Sequence, residues 1–111
     1  MADATTTVGS LKHAICAFAT ERHWEPFHTP KNLSMAIACE VGELLEHFRW
    51  RTGDESYAAC RDPQTRDAIA DELADVFNLV MLFSQHSGID VSEAVAAKLV
   101  KNAVKYPPPG K

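Results

Sequence analysis

Residues Pro63 to Ser87 read as one long helix whose centre, "VFNLVMLF", is apolar on nearly every face. A helix that is apolar all round must be covered on several sides. A chain of 111 residues can hardly supply that cover alone, and a core of this size gives a lone monomer only modest stability. The segment therefore constrains the fold twice: it demands a helical bundle, and it predicts a subunit interface.

The flanking sequence divides into helices by the same reasoning. Asp62 followed by Pro63 is a cap and first-turn pair, and Gly88 is a stop. Upstream, Val8, Leu11, Ile15 and Phe18 recur at helical spacing, which predicts a first helix from roughly Thr7 to Arg22. Two prolines interrupt "ERHWEPFHTP"; Thr29 and Pro30 then open a second helix expected to run to about Arg51, with a core stripe through Leu33, Ile37, Val41, Leu44 and Phe48. "TGDESYAACRD" reads as a polar connection with room for a short helical turn. Asp90 with Glu93 starts a last helix, stripe Val91, Val95 and Leu99, which runs to about Lys105. No stretch has clear period-two alternation, and no internal repeat or glycine-rich phosphate loop is present. The expected fold is all-α: a four-helix-bundle protomer in a single domain over 1–111, tails flexible at about 1–6 and 107–111, packing into a dimer or dimer of dimers.

Composition excludes several function classes. A formal charge of −4 without any basic run argues against binding a nucleic-acid polymer by phosphate neutralisation. Three cysteines without C-x-x-C spacing point to reduced thiols rather than a disulfide framework or structural zinc. The first ten residues lack the pattern of a secretory leader, and no apolar run reaches about 18 residues. A soluble cytoplasmic protein, with no membrane partner, is the expectation.

Charge then appears where a helix wants oil. Glu40 lies between Ile37 and Leu44, and Glu72 among Ile69, Leu73, Val76 and Val80. Each begins an i, i+3 acidic pair, Glu40 with Glu43 and Glu72 with Asp75, whose Cβ atoms lie about 5–6 Å apart on one helix face. If the two faces meet, four carboxylates converge, and their mutual repulsion requires cations. Hard divalent ions that take oxygen ligands answer this, Mg²⁺ above all and Mn²⁺ as a substitute. Such ions bridge acidic sites to phosphate oxygens and acidify bound water. A di-iron site would need Glu-x-x-His, whereas the third-residue partners of Glu40 and Glu72 are Glu43 and Asp75. Ordinary surface acids are the competing explanation, and periodicity alone does not decide between them.

E-x-x-E followed after 28 residues by E-x-x-D resembles the signature of the MazG-like superfamily of all-α nucleoside triphosphate pyrophosphohydrolases. "HWEPFHTPKNLSMAIACEVGELLEHFRW", "DELADVFNLVMLF" and "KLVKNAVKYP" are similar, in order and spacing, to its dCTP pyrophosphatase branch, from about Leu11 to Pro107. The resemblance implies Mg²⁺-dependent hydrolysis between the α and β phosphates of a (deoxy)nucleoside triphosphate, for example dCTP or a modified pyrimidine analogue, and a dimeric or tetrameric enzyme. It implies Glu40, Glu43, Glu72 and Asp75 as metal-binding and catalytic residues, one of them orienting the attacking water.

For the rest of the site the same resemblance implies that Trp24, His28 and Trp50 contact the base; stacking suits that role, while core or interface anchoring is the alternative for both tryptophans. Lys98, Asn102 and Tyr106 match the family's "K-x-x-x-N-x-x-K/R-Y-P" ending and share one line of the last helix, so they are candidates for the triphosphate and sugar. Lys31 and Lys101 are further phosphate candidates. His47 reads as structural, because hard Mg²⁺ sites seldom recruit imidazole. Leu79 departs from relatives that carry tyrosine there, which bears on base or sugar selectivity. A non-catalytic, nucleotide-binding helical oligomer is the competing function; it predicts binding without turnover.

Overall fold

A computed structural model describes residues 1–110; Lys111, the end of the tail expected to be flexible, lies outside the described residues. The described chain is helical without strands, in five α-helices: α1 (Val8–Glu21), α2 (Pro30–Glu46), α3 (Gly53–Arg61), α4 (Pro63–Ser87) and α5 (Val91–Lys105). A single 3-10 turn, Glu25–Phe27, separates α1 from α2.

Four helix starts follow from capping residues that satisfy otherwise orphaned amides. Thr7, Thr29 and Asp90 each accept from the backbone three residues on, at 3.1, 3.1 and 2.9 Å. Asp62 accepts from the Gln64 amide at 3.1 Å, and Pro63 and Pro30 open their helices. The all-α expectation holds, with one helix added. Thr52 and Glu55 form a reciprocal capping box (2.7 and 3.2 Å), which turns the expected polar connection into α3. α2 accordingly stops five residues before the predicted Arg51, in tight turns such as Phe48 N–H to Leu45 O at 2.9 Å.

α4 is the organising element. α2, α1 and α3 all pack on it, α2 most extensively. α2 and α4 run antiparallel: His28, just before α2, meets His86 near the end of α4, whereas Glu40, twelve residues on from His28, meets Asp75 and Glu72, eleven and fourteen residues back from His86. The core lies where α1, α2 and α4 converge, on Ala19, Leu33 and Leu82 flanked by Ile15, Cys16, Leu79 and Phe83. Lys12 Nζ donates to Ser84 Oγ at 2.9 Å, and that buried hydroxyl donates to Ile89 O beyond the end of α4. α1 is thereby tied to the α4–α5 turn, where Gly88 takes φ +73°, a conformation that favours glycine.

α5 makes only marginal contact with the other helices. Val95, Leu99, Val100 and Val104 on it are more than half exposed. The chain is correspondingly open. Its radius of gyration is 16.8 Å against about 13 Å for a compact chain of this length. Its accessible surface is 8540 Å², about 2,400 Å² above what a compact monomer of this mass presents.

Candidate functional site

The buried rows of α2 and α4 differ from the stripes expected from apolar residues alone. On α2 and the turns that follow it the covered positions are Leu33, Ala36, Ile37, Glu40, Leu44, His47 and Phe48. Glu40 stands within this row rather than on its margin, and Val41 is turned out, 47% exposed. α4 repeats the exchange: Glu72 is half-buried between Ile69 and Val76, while Leu73 is 59% exposed. Both helices thus place an acid in the packed row and an aliphatic neighbour outside.

Because these rows face each other, Glu40, Glu72 and Asp75 offer carboxylate oxygens that all lie within 4.8 Å of one another. Glu43 stands outside this trio, exposed one turn further along α2, close enough for its charge to act on Glu40. Burial first, then the neighbouring Glu72, Asp75 and Glu43 carboxylates, push Glu40 above the usual carboxylate range. Glu72 Oε2 is buried without a hydrogen-bond partner. Neither ion pair found among the described residues, Arg22–Glu21 and Arg49–Glu46, reaches the cluster.

Three converging oxygen donors, one of them orphaned, and no neutralising side chain fit a hard divalent cation. No imidazole belongs to the trio. His47 is half-buried and edge-on to Phe48, centroids 6.4 Å apart. The donor chemistry is therefore all carboxylate.

Trp24 is set at one end of the bundle by the way α1 ends. Trp24 N–H bonds to Ala19 O at 3.1 Å and His23 N–H to Thr20 O at 3.1 Å, the paired bonds of a Schellman motif. His23 occupies its left-handed position at φ +57°, where glycine is usual. The apolar contact that accompanies such a motif is Trp24 on Phe18, centroids 5.7 Å apart. His28 packs edge-to-face against Trp24 at 6.3 Å. From the start of α2 to Glu40 the axial distance is about 15 Å at 1.5 Å per residue, so Trp24 and His28 flank the acidic trio at a distance.

The other expected contacts are dispersed within one chain. Trp50, beyond α2, is 82% exposed, with the Arg49 guanidinium 4.6 Å from its ring centroid. Lys98 is exposed, Asn102 half-buried and Tyr106 66% exposed, all carried by or adjoining α5, which stands off the acid-bearing pair. Lys31 and Lys101 are exposed. Leu79 packs against the core. Two side chains absent from the expectations take part in the architecture here: His86, against His28, and Lys12, on Ser84. Their partners are fixed by helix pairing, which no local spacing encodes.

Residues 35–111 match the MazG-like family. dCTP pyrophosphatase 1 of Mus musculus is 36% identical over 101 residues, 91% of this chain and 59% of its own length. The Homo sapiens dCTP pyrophosphatase 1 is 37% identical over the same extent. The chain thus spans about three-fifths of the curated relatives it matches. A crystal structure of a pyrophosphatase from Archaeoglobus fulgidus has the same fold at a TM-score of 0.83 and 36% identity, covering 90% of this chain and 92% of that one.

Proposed function

The chain belongs to the MazG-like family, and from that premise we propose that it hydrolyses (deoxy)nucleoside triphosphates to the monophosphate and pyrophosphate, with dCTP or a modified pyrimidine dNTP as substrate. The observation that carries this reading is the trio Glu40, Glu72 and Asp75, oxygens within 4.8 Å and without a cationic side-chain partner. The dCTP pyrophosphatases among its relatives supply the substrate class.

Mg²⁺, or Mn²⁺ in its place, is the cation proposed for Glu40, Glu72 and Asp75, with Glu43 completing the acidic face. When bound, it supplies positive charge for the phosphate oxygens and a more acidic water. The protein's own contributions are positional. Carboxylate oxygens held by two packed helices are fixed before substrate arrives, which removes an ordering cost from the reaction. One carboxylate of the set orients the attacking water and receives its proton. Trp24 and Trp50 offer ring faces to the base, and His28 borders the first of these.

Lys98, Asn102 and Tyr106 enter this scheme through a second copy of the chain. The open protomer, the exposed apolar face of α5 and the outward Val41 and Leu73 support a homodimer or homotetramer. The roughly 2,400 Å² of surplus surface is of the order buried in obligate subunit interfaces. The whole of 1–111 is read as one catalytic domain. Three free cysteines suit a reducing compartment, and the cytoplasm is the proposed location. No helix among the described residues is long and apolar enough to cross a membrane.

Pyrophosphate release from a panel of canonical and 5-modified nucleoside triphosphates, with Mg²⁺ or EDTA and with Glu40→Gln as control, tests the proposal. Metal-dependent turnover lost in the variant supports it. Nucleotide binding without turnover replaces it with a nucleotide-sensing oligomer.

A further inference from the structure

Five side chains form a continuous run across the end of the bundle away from the acidic trio. The Arg22 guanidinium lies 3.4 Å from the Phe18 centroid; Phe18 meets Trp24 at 5.7 Å, Trp24 meets His28 at 6.3 Å, and His28 meets His86 at 5.9 Å. Each ring pair is edge-to-face, with interplanar angles of 67°, 70° and 88°. The run joins α1, the 3-10 turn and α4. Trp24 is thus held between Phe18 and an imidazole that itself leans on a second imidazole.

We propose that His28, packed against His86, forms a proton-operated latch that positions Trp24, holding the indole while His28 is neutral and releasing it when His28 is protonated. This inference builds on the nucleotide-site reading of Trp24 above, although the latch itself is a property of the fold.

The geometry carries the argument. His28 Nδ1 is enclosed and has no hydrogen-bond partner. A neutral ring with its hydrogen on Nε2 leaves only a lone pair there, whereas the imidazolium must place an N–H in a pocket without an acceptor. His86 sits in the last turn of α4, where the helix carboxyl end favours a cation. With the two ring centroids 5.9 Å apart, a positive charge on His86 opposes one on His28. Burial and then His86 hold His28 below the ordinary imidazole value of 6.5.

The surrounding charges leave this pair alone. His86 is the one titratable group whose charge bears on His28. His23, Glu25 and Lys31, nearest along the chain, are exposed. Arg22 on α1 is engaged by Glu21 and Phe18, Asp90 is turned to cap α5, and the α4 neighbours Gln85 and Ser87 carry no charge.

The test uses a Trp50→Phe background, in which Trp24 is the one remaining tryptophan. Its emission, followed from pH 8 to 5, should show a transition with a midpoint below 6.5. His28→Phe keeps a ring but no proton and should abolish the transition; His86→Gln should move the midpoint up. A transition that survives His28→Phe, or a midpoint unmoved in His86→Gln, overturns the latch. Should His28→Phe fail to fold by circular dichroism, imidazole NMR titration of the parent and His86→Gln gives the same decision. In the native sequence, KM for dCTP should rise as pH falls through that midpoint. A latch seen in fluorescence with KM unmoved removes Trp24 from the nucleotide site, and absence of all turnover overturns the pyrophosphohydrolase reading; in both cases fluorescence still decides the latch.

Discussion

Glu40 on α2 and Glu72 on α4 face each other across the best-packed helix pair of the protein, while their sequence neighbours Val41 and Leu73 point outward. Packing has placed charge inside and aliphatic surface outside at matching positions of two helices. An arrangement that opposes the hydrophobic pattern in this way needs a compensating ligand for the acids and a covering surface for the aliphatics.

Replacement of Glu40 by Gln keeps the shape and removes one charge. Turnover should fall on the order of 100-fold or more, as for loss of a group that acts in the transition state. In EDTA the same variant should melt above the parent, because a repelling charge has gone. Parallel assays of pyrophosphate release and thermal unfolding check both; a variant with full activity refutes the metal assignment.

Protons and metal should relieve the same repulsion and so compete for one cluster. The Glu40 carboxyl is raised above its ordinary value of 4.5, so the folded protein holds that proton more tightly than the unfolded chain. The resulting stability is fully present below 4.5 and is lost as pH rises through the folded value. Mg²⁺ should restore what deprotonation removed. A hundredfold excess over its Kd corresponds to about 2.7 kcal/mol, on the order of 10 °C in Tm for a domain of this size. Melts at pH 5 to 8 with Mg²⁺ or EDTA should therefore diverge as pH rises.

Leu99 is 63% exposed on α5, so Leu99→Asp should change the stability of an isolated protomer by no more than about 0.5 kcal/mol. In an oligomer that covers α5, the same substitution buries an unpaired charge and should yield monomers with little activity. Light scattering after size exclusion reads the outcome, and an unchanged oligomer would take α5 out of the interface.

His23 holds a left-handed backbone position at φ +57°, where a Cβ costs about 1 kcal/mol. His23→Gly should therefore raise the urea midpoint by an amount corresponding to several tenths of a kcal/mol, the gain being reduced by glycine's extra freedom when unfolded. A lower midpoint would mean that the exposed imidazole contributes more than the strain it tolerates.

Much of this architecture was legible in the residues. Thr7, Thr29, Asp62, Asp90 and Gly88 mark helix ends because capping is a local hydrogen-bonding matter. The two acidic pairs at three-residue spacing were equally visible. What was not visible depends on pairing between distant segments. Periodicity runs the α2 stripe through Val41 because it counts apolar residues, whereas packing against α4 selects Glu40. The polar composition of α3 masks the Thr52–Glu55 box that starts it. The meeting of His28 with His86 follows only from the antiparallel register of α2 and α4, and the outward course of α5 from a turn whose angle no residue type specifies.

That turn has a mechanical consequence. Gly88 provides the left-handed corner, and Lys12, through Ser84, grips the backbone at Ile89 immediately after it. α5 extends beyond for 15 residues, a lever of roughly 22 Å at 1.5 Å per residue. A rotation of about 10° at the corner displaces its tip by about 4 Å, most of the roughly 5.4 Å pitch of a helix. The direction in which α5 presents its exposed apolar side chains is therefore governed by one backbone torsion and one lysine, far from the tip they move.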